Sequence, residues 1–235
     1  MGKKEKIILL FCILLLIITI LIFEFSNFDV TLSNFFFNKN TNSWLISSNN
    51  TIYGLIFYRG FKIFLVSIGI SLILIFTLSF KFKKLEDLRY ITLFLFACMA
   101  FIPTFISFLK HTTNIYPPWD LNIFNGNKPY IKLFEKYPAD FTQKKKAQGY
   151  PAGHASGGFS ILCFVYILKK RKYKMFFLLF WMFLGWSMGI YQMVRGAHFL
   201  SHTIVSNILS IIITLLLYYL FKKKIEGATN NEQNQ

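Results

Sequence analysis

Apolar runs divide the chain. Residues 7–23, 61–80, 90–109, 153–168, 175–191 and 203–221 are nearly free of charge, and polar or basic stretches separate them. A run of about 20 apolar residues crosses a bilayer as a helix. The pattern therefore predicts an all-α fold, a polytopic membrane bundle of about six transmembrane helices. The fourth run is the shortest and opens on glycines, which leaves its ends loosely defined. The connection 24–60 mixes aromatics with Asn and Ser, in "FDVTLSNFFF" and "WLISSNNTIYGLIFYRG". That composition suits a partly helical segment lying in the membrane interface, with no catalytic part assigned to it. Residues 225–235 are polar and read as a disordered tail. No repeat or separate soluble unit is visible. Residues 1–235 form one membrane-embedded domain with its core at about 90–221.

The net charge of +16 would suit a nucleic-acid binder, but the placement of the charges excludes that class. Lys3, Lys4 and Lys6 precede the first run, and Lys81, Lys83, Lys84 and Arg89 separate the second from the third. Lys169, Lys170, Arg171, Lys172 and Lys174 separate the fourth from the fifth, and Lys222, Lys223 and Lys224 follow the sixth. Threaded up and down, these alternate connections share one face, which the positive-inside rule makes cytoplasmic. Lys144, Lys145 and Lys146 run against that bias on the opposite face. The first run is followed by "LIFEFSNFD", which lacks a small-residue cleavage pattern, so it reads as a retained anchor. Cys12, Cys98 and Cys163 fall inside the apolar runs and read as packing residues, without disulfide or metal spacing.

The outward connections 110–152 and 192–202, with the start of the fourth run, hold all four histidines: His111, His154, His198 and His202. Three clusters carry them: "KHTTNIYPPWD" from Lys110 to Asp120, "YPAGHASGG" from Tyr150 to Gly158, and "QMVRGAHFLSH" from Gln192 to His202. Ionisable groups at membrane depth are costly and usually face a cavity or substrate path. Lysine and arginine stabilise phosphate oxygens, a helix N-terminus favours an anion, and histidine serves as nucleophile or acid. The inventory describes a phosphoryl-transfer site that requires no metal and no cofactor. Singly, each feature has a plainer reading. Small residues such as Gly185 and Gly189 permit close helix packing, and Lys110 or Arg195 can be a snorkelling anchor. The convergence of three clusters on one face favours the site.

In order and spacing, these clusters resemble the type-2 phosphatidic acid phosphatase superfamily of integral membrane lipid phosphatases. The first family motif is matched at Lys110 and Pro118, with Pro117 where the family has arginine. The second reads Pro151-Ala152-Gly153-His154, without the family serine; Ser156 lies one turn on. The third resembles the variant "GAHFLSD", with His202 at the aspartate position and Gln192 at that of the arginine, three residues before Arg195. The resemblance implies that His198 forms a phosphohistidine and that His154 protonates the leaving alcohol and later acts as base. Lys110, Arg195, the Gly153 N–H and Ser156 would hold the phosphate, and His202 would orient His198, with Asp120 as rival and Gln192 as accessory. The implied substrates are phosphatidate-like lipids, phosphatidylglycerol phosphate, undecaprenyl (pyro)phosphate and lipid A, met at the periplasmic face of a bacterial inner membrane. Two alternatives remain: phosphoryl transfer to another lipid, and a zinc site on His198, His202 and His154.

Overall fold

A computed structural model describes residues 2–46 and 51–231. Among the described residues, five helices are long and apolar enough to span a membrane: Lys3–Phe25, Ile52–Leu78, Leu88–Asp120, Arg171–Val194 and Leu200–Gly227. The architecture is all-α, apart from one two-stranded hairpin. In chain order, the regular elements are α1 (Lys3–Phe25), α2 (Phe28–Asn34), β1 (Phe37–Asn38), β2 (Ser43–Trp44) and α3 (Thr51–Gly54). A π-helical turn, Leu55–Gly60, joins α3 to α4 (Phe61–Leu78), and α5 (Leu88–Thr113) follows. After a long irregular connection come α6 (Gly153–Phe159), α7 (Phe164–Ile167), α8 (Arg171–Val194) and α9 (Leu200–Asn231).

The fourth apolar run departs from the expected full span. Gly153–Ile167 is α6 and α7 joined by a 3-10 turn, Ser160–Cys163. At 1.5 Å per residue it reaches only about 22 Å, less than a hydrocarbon core. Its small residues serve close packing instead. A Cβ on Gly158 would lie 2.8 Å from the Gly185 Cα of α8, and one on Gly185 would collide with the Phe159 ring. The backbones thus meet as small-residue helix contacts in membranes do. The expected disordered tail departs as well. Residues 225–231 continue α9, with Ile225 buried against the core, and 232–235 lie outside the described residues.

Around this pair, α5 packs on α4 and α9, and α1 packs on α9. The central core gathers Phe94, Cys98, Ile102 and Cys163 at full burial. α1 and α4 instead turn Ile7, Leu10, Phe11, Ile63 and Ile70 outward, as helices do whose solvent is lipid. Some polar residues inside the bundle are satisfied by their own helix. On α9, Ser206, Ser210 and Thr214 are fully buried, and their hydroxyls donate to the carbonyls four residues earlier at 2.9, 2.7 and 2.7 Å. This is an integral membrane protein.

At the end of the bundle that carries the histidines, α5 ends on Asn114 in the left-handed conformation, φ 56°, and Asn114 organises the irregular connection after it. Its side chain pairs with Gln143 at 2.8 and 2.9 Å and accepts the Ala147 N–H at 2.7 Å, while its carbonyl accepts the Tyr137 hydroxyl at 2.7 Å. The hairpin and α2 cover the start of α9, where Phe37, Trp44, Phe124 and Phe199 form one aromatic cluster. Asp29 of α2 closes the arrangement. It is 8 % exposed, its carboxylate accepts the Ser201 N–H at 3.0 Å, and the Ser201 hydroxyl donates to its second oxygen. α9 begins after Phe199, which has no capping oxygen, so Asp29 caps it from a distant segment.

Candidate active site

The turn that presents His198 is dictated by helix-end chemistry. α8 ends at Val194, and Gly196 follows with φ +77°. The Gly196 N–H donates to Met193 O at 2.9 Å and the Ala197 N–H to Gln192 O at 2.8 Å, the paired bonds of a Schellman cap. Only glycine enters that conformation without strain, and here a Cβ would also collide with the Trp44 indole. The Gly196 carbonyl in turn accepts the Trp119 N–H at 2.9 Å. The cap therefore fixes His198 against both α8 and the 110–152 connection.

His198 is 4 % exposed, and its Nδ1 lies 2.7 Å from the Gly149 carbonyl. A carbonyl only accepts, so Nδ1 carries the proton and Nε2 keeps its lone pair. Burial, reinforced by neighbouring His202, holds this imidazole well below its usual range, so it is neutral. Such a ring is a nucleophile.

His198 faces a cavity of about 480 Å³. Lys110 enters it from the end of α5, His154 from the start of α6, and Gln192 and Tyr191 from α8. Arg195 is placed by two aromatic faces, its guanidinium 5.2 Å from the Trp119 ring and 5.7 Å from that of Tyr191. Its Nε is buried without a partner, so the fork is held ready for an anion. The Tyr58 ring lies 4.5 Å from that of His154. Arg59 lines the same cavity from the π-helical turn.

A second cavity of about 560 Å³ runs between α4 and α5. Leu65, Ile70, Ile73, Met99, Pro103 and Met188 make it chiefly apolar, with Lys62 along its wall. It shares Lys110 and His154 with the first, and Gly153 lines it beside the Lys110 side chain.

Three residues of the expected constellation lie elsewhere. Ser156 is fully buried and donates to the Gly153 carbonyl at 2.6 Å, so its hydroxyl is committed to its own helix. His202 is 2 % exposed and lines neither cavity. It packs edge-on to Tyr150, 5.7 Å from the His198 ring, with Nδ1 unpartnered. The contact on the ring N–H of His198 is the Gly149 carbonyl, in the place expected for His202 or Asp120. Asp120 faces a neighbouring cavity instead. Conversely, Tyr58, Arg59, Trp119 and Gln148 line the site without having been singled out in the sequence. The one signal for the first two was the "YRG" at the mouth of the second apolar run.

A helical membrane protein with two histidines, a lysine and two arginines around one pocket has the equipment of a membrane-bound phosphoryl-transfer enzyme. Residues 91–226 match the model of the PAP2 superfamily, and the chain belongs to that family. It is similar to the lipid A 4′-phosphatase of Francisella tularensis subsp. novicida (strain U112), 27% identical over 206 residues, 86% of this chain and 90% of that protein. No solved structure matches the chain. The protein is a lipid phosphatase, a phosphoric ester hydrolase of the membrane.

Proposed function

We propose that the protein removes a phosphate monoester from a lipid headgroup at the periplasmic face of a bacterial inner membrane, through a phosphohistidine on His198. The observation that carries this reading is the sharing of Lys110 and His154 between a cationic cavity and an apolar groove. A lipid with its phosphate in the first and a hydrocarbon chain in the second places the scissile bond where the two meet. The basic clusters of the alternate connections support the outer side for that junction.

The Nε2 lone pair of His198 attacks phosphorus, and the P–O bond to the lipid alcohol breaks. His154 gives its proton to the leaving oxygen, the dianionic phosphate beside it favouring the protonated ring. Water then attacks the phosphohistidine, His154 takes the proton back, and inorganic phosphate leaves with the Nε2 lone pair restored. Lys110 and Arg195 hold the equatorial oxygens as charge spreads over them. Gly149 keeps His198 in the reactive tautomer. The likeness to a lipid A 4′-phosphatase makes lipid A the leading substrate.

The test is phosphate release by purified enzyme from lipid A, undecaprenyl pyrophosphate, phosphatidylglycerol phosphate and phosphatidate. Lipid A is expected to turn over fastest. His198→Ala should abolish turnover and the trapped phosphoenzyme, while His154→Ala should chiefly slow leaving-group departure. Full activity in His198→Ala would remove the nucleophile assignment. Loss of lipid phosphate without free phosphate would turn the reading to lipid-to-lipid transfer.

A further inference from the structure

Beyond the reacting pocket lies a third cavity, of about 520 Å³, lined by Lys128, Lys144, Lys145 and Lys146. It adjoins the catalytic cavity, since Pro117, Trp119 and Gln148 line both. One carboxylate, Asp120, faces the four lysines. The lysine-bearing backbone is held in place. The Ala147 N–H donates to Asn114 Oδ1 at 2.7 Å, and the Lys145 carbonyl accepts the Tyr116 hydroxyl at 3.4 Å. Lys128 sits over the rings of Tyr116 and Phe141 at 5.7 and 5.8 Å, and its N–H donates to the Asp120 carbonyl at 2.8 Å.

Topology makes the run more informative. Lys144, Lys145 and Lys146 stand on the face that the other basic clusters identify as outward, where orientation signals disfavour Lys and Arg. Insertion of the chain does not explain them. A ligand does. The charge is adjacent to the site, with Trp119 in the wall that both cavities share.

We infer that this lysine-lined cavity is a subsite for a second anionic group, phosphate or carboxylate, carried by the same headgroup whose phosphate is cleaved beside His198. The inference rests on the proposed lipid-phosphatase reading and adds the class of headgroup: one with two separated anions. Lysine suits the task, because a flexible point charge accepts either anion without the fixed fork that Arg195 offers at the reacting phosphate. Exposed attraction of this kind is screened by salt, whereas contacts in the buried pocket are screened much less.

The experiment compares two lipids with the same acyl chains, one bearing a single phosphate monoester and the other a second phosphate or carboxylate on its headgroup. Both are assayed in neutral detergent with wild type and with Lys128→Gln/Lys144→Gln/Lys145→Gln/Lys146→Gln. Wild type should favour the doubly anionic lipid by about tenfold in kcat/KM, and high salt should erase the preference. The quadruple variant should lose the preference and keep wild-type turnover of the singly anionic lipid, which also certifies its fold. The triple variant that retains Lys128 serves if the quadruple one misfolds. No preference in wild type, or equal loss on both substrates, overturns the subsite. A second arm places wild type in nanodiscs with and without anionic lipid. If anionic lipid raises turnover of the singly anionic substrate through these lysines, they serve neighbouring headgroups and the assignment to the substrate falls. Affinity for non-hydrolysable phosphonate analogues of both lipids, measured in His198→Ala, repeats the comparison without turnover. A failed phosphohistidine mechanism and a failed subsite therefore give different results.

Discussion

Replacing Asp29 by asparagine separates the electrostatic cost of one carboxylate from the geometry it maintains. Asp29 is buried under the hairpin at the start of α9 and accepts hydrogen bonds from Ser201. Burial outweighs those bonds and raises its pKa from 3.8 to about 6. The folded state therefore holds the proton more tightly than the unfolded chain. This contribution to stability is greatest below about pH 4 and is lost as pH rises through 6. The difference corresponds to about 3 kcal/mol at pH 8. The asparagine side chain keeps an oxygen for the Ser201 N–H, and the Ser201 hydroxyl can rotate to accept from the new amide. Asp29→Asn should therefore be more stable than wild type at pH 8 by up to about 3 kcal/mol, or about 6–12 °C for a chain of this length. The two should converge below about pH 3.5. The assay is thermal unfolding in detergent across that range. Parallel curves for wild type and Asp29→Asn at every pH would refute the reasoning, as would a less stable variant at pH 8.

Arg195→Ala should cost on the order of 3 kcal/mol in transition-state stabilisation, with Arg195→Lys recovering only part, in catalytic rates normalised to folded protein. A lysine variant of full activity would reduce Arg195 to an anchor. Gly196→Ala must force both a left-handed alanine and a contact with the Trp44 ring. It should lower stability by about 1–3 kcal/mol and kcat more than KM, because the same turn carries His198; wild-type kinetics would contradict this.

Hydropathy made the fold readable because each apolar run is long enough to identify a helix by composition alone. The fourth run misled in length, since the Gly158–Gly185 contact that packs it against α8 is a tertiary contact that hydropathy does not register. Spacing likewise made Lys110, His154 and His198 legible, as the sequence order of helix ends tracks their meeting on one face. It failed for Ser156 and His202. One turn of helix is too coarse to tell a side chain facing the pocket from one facing its own backbone or Tyr150. The Gly149 carbonyl had no signal, because any residue type supplies one. Arg59 and Tyr58 enter from a segment whose aromatic, polar composition reads as interface, and only the tertiary fold brings them to His154.

The described lining of the catalytic cavity contains Arg59, Lys110 and Arg195 and no carboxylate. Nothing in that lining repels an anion once the ester is cut. On the proposed chemistry inorganic phosphate, smaller than the substrate and still anionic, inherits the contacts the headgroup phosphate had. The lipid alcohol is drawn off by the bilayer, while the phosphate must break free of three cations to reach water. Escape of the ion, rather than cleavage of the bond, should then set the pace of the cycle, read as a pre-steady-state burst of lipid alcohol. On that account added inorganic phosphate should compete for the same vacated seat, and turnover should fall as its concentration rises.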